Sequence, residues 1–479
     1  MKRLLFLSLL TILGLNVRAI NTEVHTYEQL KTAISKVSPG DTIFLHEGTY
    51  TFTSQLSIKK DATEKKMIVI SGYPGEAKPV LDCNHSASYS FYLCADYWHL
   101  KNLEVEHASH NGIRLEEANH CILENIILHN NDNTGLQIDN GSSYNIIKNC
   151  DSYHNVDASN EDGDGFAPKL GVGTGNCFYG CRSWENADDG YDGYMRGDVR
   201  EITTYYDHCI AYRNGYINNA TGKGDGNGFK LGGYDKDAPR THNFIVTRCI
   251  SAENMHKGFD RNSNVGSITL YNCSAFNNGI ASADYNFAFP TGKDGTQQSG
   301  HTLTIKNCVS YSKDHRDYLM SCTPYVEDHN TWDLKGCALD DFKSTDATEL
   351  ISARNADGSL PDFIFMNLAK DSKLIDAGTD IGLDFNGTAP DLGWKEYTDK
   401  PTSDISSATA GDVRISHNDN AIIIKSDKEF PQAAIYDMSG KLITTHTGYT
   451  NYICFNVPKS DIYLVRIVIN GKSYGYKIK

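Results

Sequence analysis

The sequence predicts an all-β chain: a right-handed parallel β-helix followed by a small C-terminal β-sandwich. Three observations lead to this. An apolar residue, usually cysteine, is followed five residues later by asparagine at Ile126/Asn131, Cys150/Asn155, Cys181/Asn186, Cys209/Asn214, Cys249/Asn254 and Cys273/Asn278. A glycine followed by a bulky residue recurs at Gly112-Ile113, Gly135-Leu136, Gly165-Phe166, Gly190-Tyr191, Gly228-Phe229 and Gly258-Phe259, with intervals of 23, 30, 25, 38 and 30 residues. The segments between these landmarks are short and strand-like, without the 3.6-residue period of helical solenoids. A coil of about two dozen residues with loop insertions accounts for the intervals.

In such a fold, coils stack at about 4.8 Å and equivalent positions form ladders along the axis. The cysteines then form an inward ladder of small apolar side chains. The asparagines form a ladder at a turn, where their amides satisfy backbone groups that the bend leaves unpaired. Thirteen cysteines in an exported chain would ordinarily signal disulfides, but the count is odd and the register assigns most of them to packing. Cys177 and Cys181 have a zinc-like spacing with no second pair to answer them.

The elements follow in order. Residues 1–19 read as a signal peptide: Lys2 and Arg3, an apolar run from Leu4 to Leu15, then Val17-Arg18-Ala19 as cleavage site. The run is short for a membrane span and no other long apolar stretch follows. The β-helix is expected over 20–340. Thr26 and Gln29 form a capping box that opens an amphipathic segment through Val37, plugging the first coil, before Pro39-Gly40-Asp41 leads into the strand Thr42–Leu45. Residues 341–403 read as a loop-rich cap, 402–411 as a Ser/Thr/Ala-rich linker, and 404–479 as a separate small sandwich with strands such as 421–424, 433–436 and 463–469. This tail resembles the sorting-type or sandwich modules of secreted bacterial proteins, especially at Ile435-Tyr436-Asp437-Met438-Ser439-Gly440-Lys441.

The formal net charge is −15, and loss of Lys2, Arg3 and Arg18 with the signal peptide takes it to −18. That balance disfavours nucleic acid and anionic membranes as partners. An acidic polymer remains compatible if a cation bridges it to the protein. The chain is expected to be exported to the periplasm, cell surface or medium and to act as a monomer.

Aligning coils on the glycines puts Asp164 and Asp189, each just before its glycine, in neighbouring coils, with Asp188 beside them. Two residues after the glycine, Asp192 stacks beside Lys230. Four carboxylates in two coils repel one another when empty, and a hard oxygen donor set suits Ca²⁺ better than zinc. By spacing alone, a solvated acidic turn or a calcium held only for coil stability fits equally well. Lys230 lies in the glycine-rich stretch Asp225-Gly226-Asn227-Gly228-Phe229-Lys230-Leu231-Gly232-Gly233. Beside a bound cation its ammonium form is disfavoured, which equips it as a base for a carbon-bound proton. Lysines on such faces are ordinarily just solvated. Lys169, Arg196, Lys257 and Arg261 are candidate contacts for substrate carboxylates.

The segments Asp162-Gly163-Asp164-Gly165-Phe166-Ala167-Pro168-Lys169-Leu170, Cys181-Arg182-Ser183-Trp184-Glu185-Asn186-Ala187-Asp188-Asp189-Gly190-Tyr191-Asp192 and Gly228-Phe229-Lys230-Leu231-Gly232-Gly233 resemble the core of polysaccharide lyase family nine, over most of residues 25–395. The resemblance implies a parallel β-helix, a pectate or rhamnogalacturonan lyase activity, and an acidic pectic polysaccharide as partner. It places calcium ligands on Asp164, Asp188, Asp189 and Asp192 and the base on Lys230. The implied reaction is β-elimination at galacturonate. A β-helix hydrolase, which needs carboxylates flanking the bond, and a non-catalytic carbohydrate binder are the competing readings.

Overall fold

The computed structural model describes residues 19–197, 201–217, 220–234, 241–281, 283–290, 299–314, 316–334, 336–398, 413–418, 421–436, 442–457, 463–469 and 472–478. The expected signal peptide, Ala19 apart, and the expected linker lie outside them. Among the described residues, parallel strands stack into three sheets. Sheet I has twelve strands, from Asn21–Val24 to Tyr325–Asp328. Sheet II has ten, from Thr49–Thr51 to Val309–Tyr311, and sheet III has ten, from Leu56–Ile58 to Tyr318–Met320. One coil shows the path: Asn176–Tyr179 in sheet I, a two-residue turn, Arg182–Trp184 in sheet II, then Tyr191–Asp192 in sheet III.

The turn from sheet I to sheet II needs one residue in the left-handed region, and Asn125, Asn149, Gly180 and Asn272 supply it with φ between 51° and 61°. Asparagine enters that region at low cost because its amide bonds locally. The next residue points inward, and Cys150, Cys181, Cys209, Cys249, Cys273 and Cys308 fill this column fully buried. Their thiols donate to carbonyls of the coil, as from Cys181 to Ile147 at 3.3 Å. All thirteen cysteines are free. At the turn leaving sheet II, Asn131, Asn155, Asn186, Asn214, Asn254 and Asn278 form one continuous ladder, each amide donating to the next side chain at 2.8–3.0 Å. Beneath sheet III, Phe166, Tyr191, Phe229, Phe259 and Phe287 stack ring on ring at 4.5–5.3 Å. The first four are the bulky residues that follow the glycines, and Phe287 takes the same place after Asn286.

The ends refine the sequence reading. The first helix is Tyr27–Lys36, and Thr26 accepts from Gln29 N at 3.3 Å. Gln29 returns its bond to His25 N at 2.7 Å, one residue earlier than a capping box requires. The segment after the last coil lies along the flank of sheet II, not over the final coil. The reason is the apolar outer face there: Ile210, Tyr212, Ile250, Phe276 and Val309 need cover, and Phe342, Leu350, Phe365 and Trp394 provide it. Asp151 anchors this segment. Its carboxylate receives Arg182 at 2.8 Å and Arg354 at 2.7 Å, and Arg182 also donates to the carbonyls of Leu350 and Ser352.

The C-terminal strands form a five-stranded antiparallel sheet. Its long strand Ala421–Tyr436 shifts register between Lys425 and Phe430, pairing with Val413–Asn418 before the break and with Tyr463–Ile469 after it. The sheet does not stand apart from the β-helix. Ala421, Ile423 and Tyr452 pack on Cys177 and Tyr205 of sheet I, and Lys425 pairs with Asp207 at 2.5 Å.

Burial opposes ionisation of Asp151, but the two guanidiniums outweigh it and hold the carboxyl below its usual range. Removing that charge leaves buried cations uncompensated, so Asp151→Asn is expected to lose about 3–5 kcal/mol in urea unfolding. Because the folded value is the lower one, this stabilisation is complete above about pH 4 and fades as pH falls through the folded value. An unchanged midpoint at neutral pH would refute the tie. Titration of thiols in the denatured chain is expected to recover most or all thirteen, whereas six disulfides would refute the packing ladder.

Candidate active site

Sheet III sets the register of the site. Phe166 pairs with Tyr191, Tyr191 with Phe229, and Asp192 with Lys230, which in turn pairs with Asp260. The preceding glycines permit close stacking: a Cβ on Gly165 would stand 2.0 Å from Ser183 Oγ. One residue before each glycine runs a second side-chain ladder. Asp164 Oδ1 accepts from Asp189 N at 3.2 Å, Asp189 Oδ1 from Asn227 N and Nδ2 at 2.9 Å each, and Asn227 Oδ1 from Lys257 N at 3.1 Å. One oxygen of each aspartate is therefore occupied by the fold.

The other oxygens face a cluster of charge. Lys169 Nζ lies 2.6 Å from Asp164 Oδ2 and 3.1 Å from Asp192 Oδ2. Lys230 Nζ lies 2.9 Å from Asp189 Oδ2, 3.0 Å from Asp225 Oδ2 and 4.0 Å from Asp192 Oδ1. The Lys230–Asp189 approach lacks hydrogen-bond alignment, which leaves Asp189 Oδ2 buried without a hydrogen-bond partner. The acidic groups fall into two overlapping trios that share Asp189: Asp164, Asp189 and Asp192, and Asp188, Asp189 and Asp225, each with donor atoms within 4.8 Å of one another.

Burial pushes the Asp189 carboxyl up to about 7, with Asp225, Asp192 and Asp164 adding to the rise against the pull of Lys230. Burial, then Asp189 and Asp164, raise Asp188 well above its ordinary range. Asp192 runs the other way: burial opposes its charge, but Lys230 and Lys169 hold it ionised. Burial likewise disfavours the Lys230 ammonium, yet Asp189, Asp192, Asp188 and Asp225 raise its pKa well above the usual value. Five carboxyl groups share two ammoniums, and burial with this crowding is what raises Asp188, Asp189 and Asp164. An all-oxygen donor set with an orphaned buried oxygen fits a hard divalent cation.

The structure thus brings together Asp164, Asp188, Asp189, Asp192, Lys230 and Lys169. The other three candidates lie around or away from the cluster. Lys257 sits one coil on, paired with Asp260 at 3.1 Å. Arg196 is exposed, 5.9 Å from the Tyr194 ring. Arg261 does not meet the expectation of a substrate contact: it is 1% exposed, with its guanidinium on the carbonyls of Asn264 and Pro290. Two residues were missed. Tyr194 places its ring 5.9 Å from Lys230 Nζ, and Asp225 pairs with Lys230 directly. The signal for Asp225 was present, since Asp225-Gly226-Asn227-Gly228-Phe229 repeats Asp162-Gly163-Asp164-Gly165-Phe166.

Comparison with known proteins points one way. The profile described as Pel9A-like, right handed beta helix region matches residues 15–300. A pectate lyase L of Dickeya dadantii (strain 3937) is 36% identical over 379 residues, 75% of this chain and 84% of the relative. Pectate lyase PEL9 of Emericella nidulans is 30% identical over 385 residues, 74% of this chain and 90% of the relative. The crystal structure of pectate lyase Pel9A matches with TM-score 0.68 at 32% identity, covering 80% of this chain and 98% of that one. A rhamnogalacturonan lyase structure matches with TM-score 0.59 at 23% identity, covering 71% and 92%, a likeness of fold.

Proposed function

The chain belongs to the Pel9A-like right-handed β-helix family and is a pectic polysaccharide lyase; from that premise we propose that it cleaves galacturonate-containing backbone by calcium-dependent β-elimination with Lys230 as base. The observation that carries this reading is Lys230, set by register beside Asp192 and 2.9 Å from the orphaned oxygen of Asp189. The pectate lyase relatives at 30–36% identity favour a polygalacturonate substrate. Action on such a polymer accords with export of the chain, as read from residues 1–19.

Asp164, Asp188, Asp189 and Asp192 would hold the metal. Bound there, Ca²⁺ would polarise the uronate carboxylate and make the neighbouring C5 proton more acidic. With the cation offsetting the charge of Asp189, Asp192 and Asp188 that holds a proton on Lys230, the neutral amine would be available to accept the C5 proton. The C4–O bond breaks with its electron pair on the departing glycosyl oxygen, which takes a proton from solvent, and a C4=C5 double bond forms, leaving a 4,5-unsaturated uronate at the new non-reducing end. Asp189 and Asp225 fix the Lys230 amine on the cluster, and Tyr194 borders it. Lys169 bridges Asp164 and Asp192 and orients their carboxylates.

Two outcomes are expected. A chelator abolishes formation of unsaturated product, followed by its ultraviolet absorbance, and Ca²⁺ restores it. Asp189→Asn, which keeps the ladder acceptor and deletes the charge, weakens Ca²⁺ binding in calorimetry. Full activity in a metal-free preparation, or saturated ends in the product, would sink the reading. Lys230→Ala is expected to lower turnover about 10²–10⁴-fold while retaining calcium and substrate binding. Lys169→Ala keeps measurable turnover with weaker substrate binding. The reverse pattern in the two folded variants would remove Lys230 from the role of base.

A further inference from the structure

A cleft of about 440 Å³ opens where the sheet I to sheet II turn, the segment after the last coil and the C-terminal sheet meet. In a three-sided coil this corner lies opposite sheet III, away from the acidic cluster. Its walls combine cations and rings: Arg248 from the turn, Lys395 from the flanking segment and Arg414 from the C-terminal sheet, beside Tyr179, Phe385 and Trp394. Arg248 is fixed in place, with φ 52° and Nη2 donating to the Asp384 carbonyl at 2.6 Å. Phe385 is 39% exposed, and Arg414 is exposed as well.

The cleft also holds three acidic side chains, Asp362, Asp384 and Glu396, of which Glu396 is tied to the backbone. Glu396 accepts from the backbone of Asp391 at 3.2 Å and of Asn386 at 3.1 Å, and Asp362 stands 3.9 Å from Lys395. Guanidinium donors for a carboxylate therefore stand beside an open aromatic face, the combination that recognises an acidic sugar. We propose that this cleft is a second carbohydrate site that takes galacturonate residues of the pectic chain, with Arg248 and Arg414 on uronate carboxylates and Phe385 against a sugar ring. The choice of ligand rests on the substrate reading above. Unlike the acidic cluster, this site needs no bridging metal.

The test is calorimetric titration of the full chain carrying Lys230→Ala with trigalacturonate in the presence of a chelator, which silences the acidic cluster. One binding site per chain is expected to persist. Arg414→Glu and Phe385→Ala, each added separately, weaken it about tenfold or more while leaving the melting temperature in place. In the chain with Lys230 intact and calcium present, neither change lowers the initial rate on short soluble substrate. Absence of chelator-resistant binding, or binding untouched by both substitutions, overturns the proposal. Failure of the unmodified chain to form unsaturated product would strike the lyase reading instead, and normal turnover without chelator-resistant binding would strike the cleft alone.

Discussion

Every residue on a β-helix face has two neighbours fixed by the stacking, the residues at the same position in the coils above and below, about 4.8 Å away. That constraint organises the rest of the molecule. A position that must satisfy a backbone amide in one coil must do so in all of them, which produces the asparagine ladder from Asn131 to Asn278. An inward position with room for a small side chain repeats as cysteine, and one with room for a ring repeats as the stack from Phe166 to Phe287. The same constraint brings Asp192 and Lys230 together across a 38-residue gap in sequence.

The parts governed by this register were legible in the sequence because glycine spacing reports it directly. Arg261 shows a rule that was available and not applied. Side chains in a strand alternate, so the first residue after a glycine points inward, the second outward and the third inward again. The equivalents of Arg261 are Leu115, Ile138 and Leu231, all fully buried, and parity alone assigns Arg261 to the interior. Asp225 had a signal of its own that went unused: it stands three residues before Gly228, as Asp162 stands three before Gly165.

Contacts that join distant segments had no local signal. Asp207 and Tyr179 lie on the outer face of sheet I, where polar residues ordinarily meet water. Burial of Asp207 becomes intelligible only with Lys425 at 2.5 Å, more than two hundred residues away in sequence, and the ammonium of Lys425 also stands over the Tyr179 ring at 4.7 Å. The cover on sheet II likewise depends on Arg354 reaching Asp151. A linker-like composition before the C-terminal strands describes how the segment is connected, not where it docks.

The ladder one residue before the glycines separates what the fold requires from what it does not. At this position the coil asks only for an acceptor to meet the next backbone amide. Asn111 meets Thr134 N at 3.2 Å and Asn227 meets Lys257 N at 3.1 Å, so a neutral amide suffices. Asp164 and Asp189 perform the same service with Oδ1. Their negative charges are thus surplus to folding, and they oppose it, since burial and mutual repulsion push Asp189 up to about 7. Backbone pairing in a ladder that runs Asn111, Thr134, Asp164, Asp189, Asn227 gives no reason for two adjacent buried carboxylates. The charge at these two rungs faces ammoniums, Lys169 at 2.6 Å from Asp164 and Lys230 at 2.9 Å from Asp189, so it belongs to the chemistry of the cluster and not to the pairing of the coils.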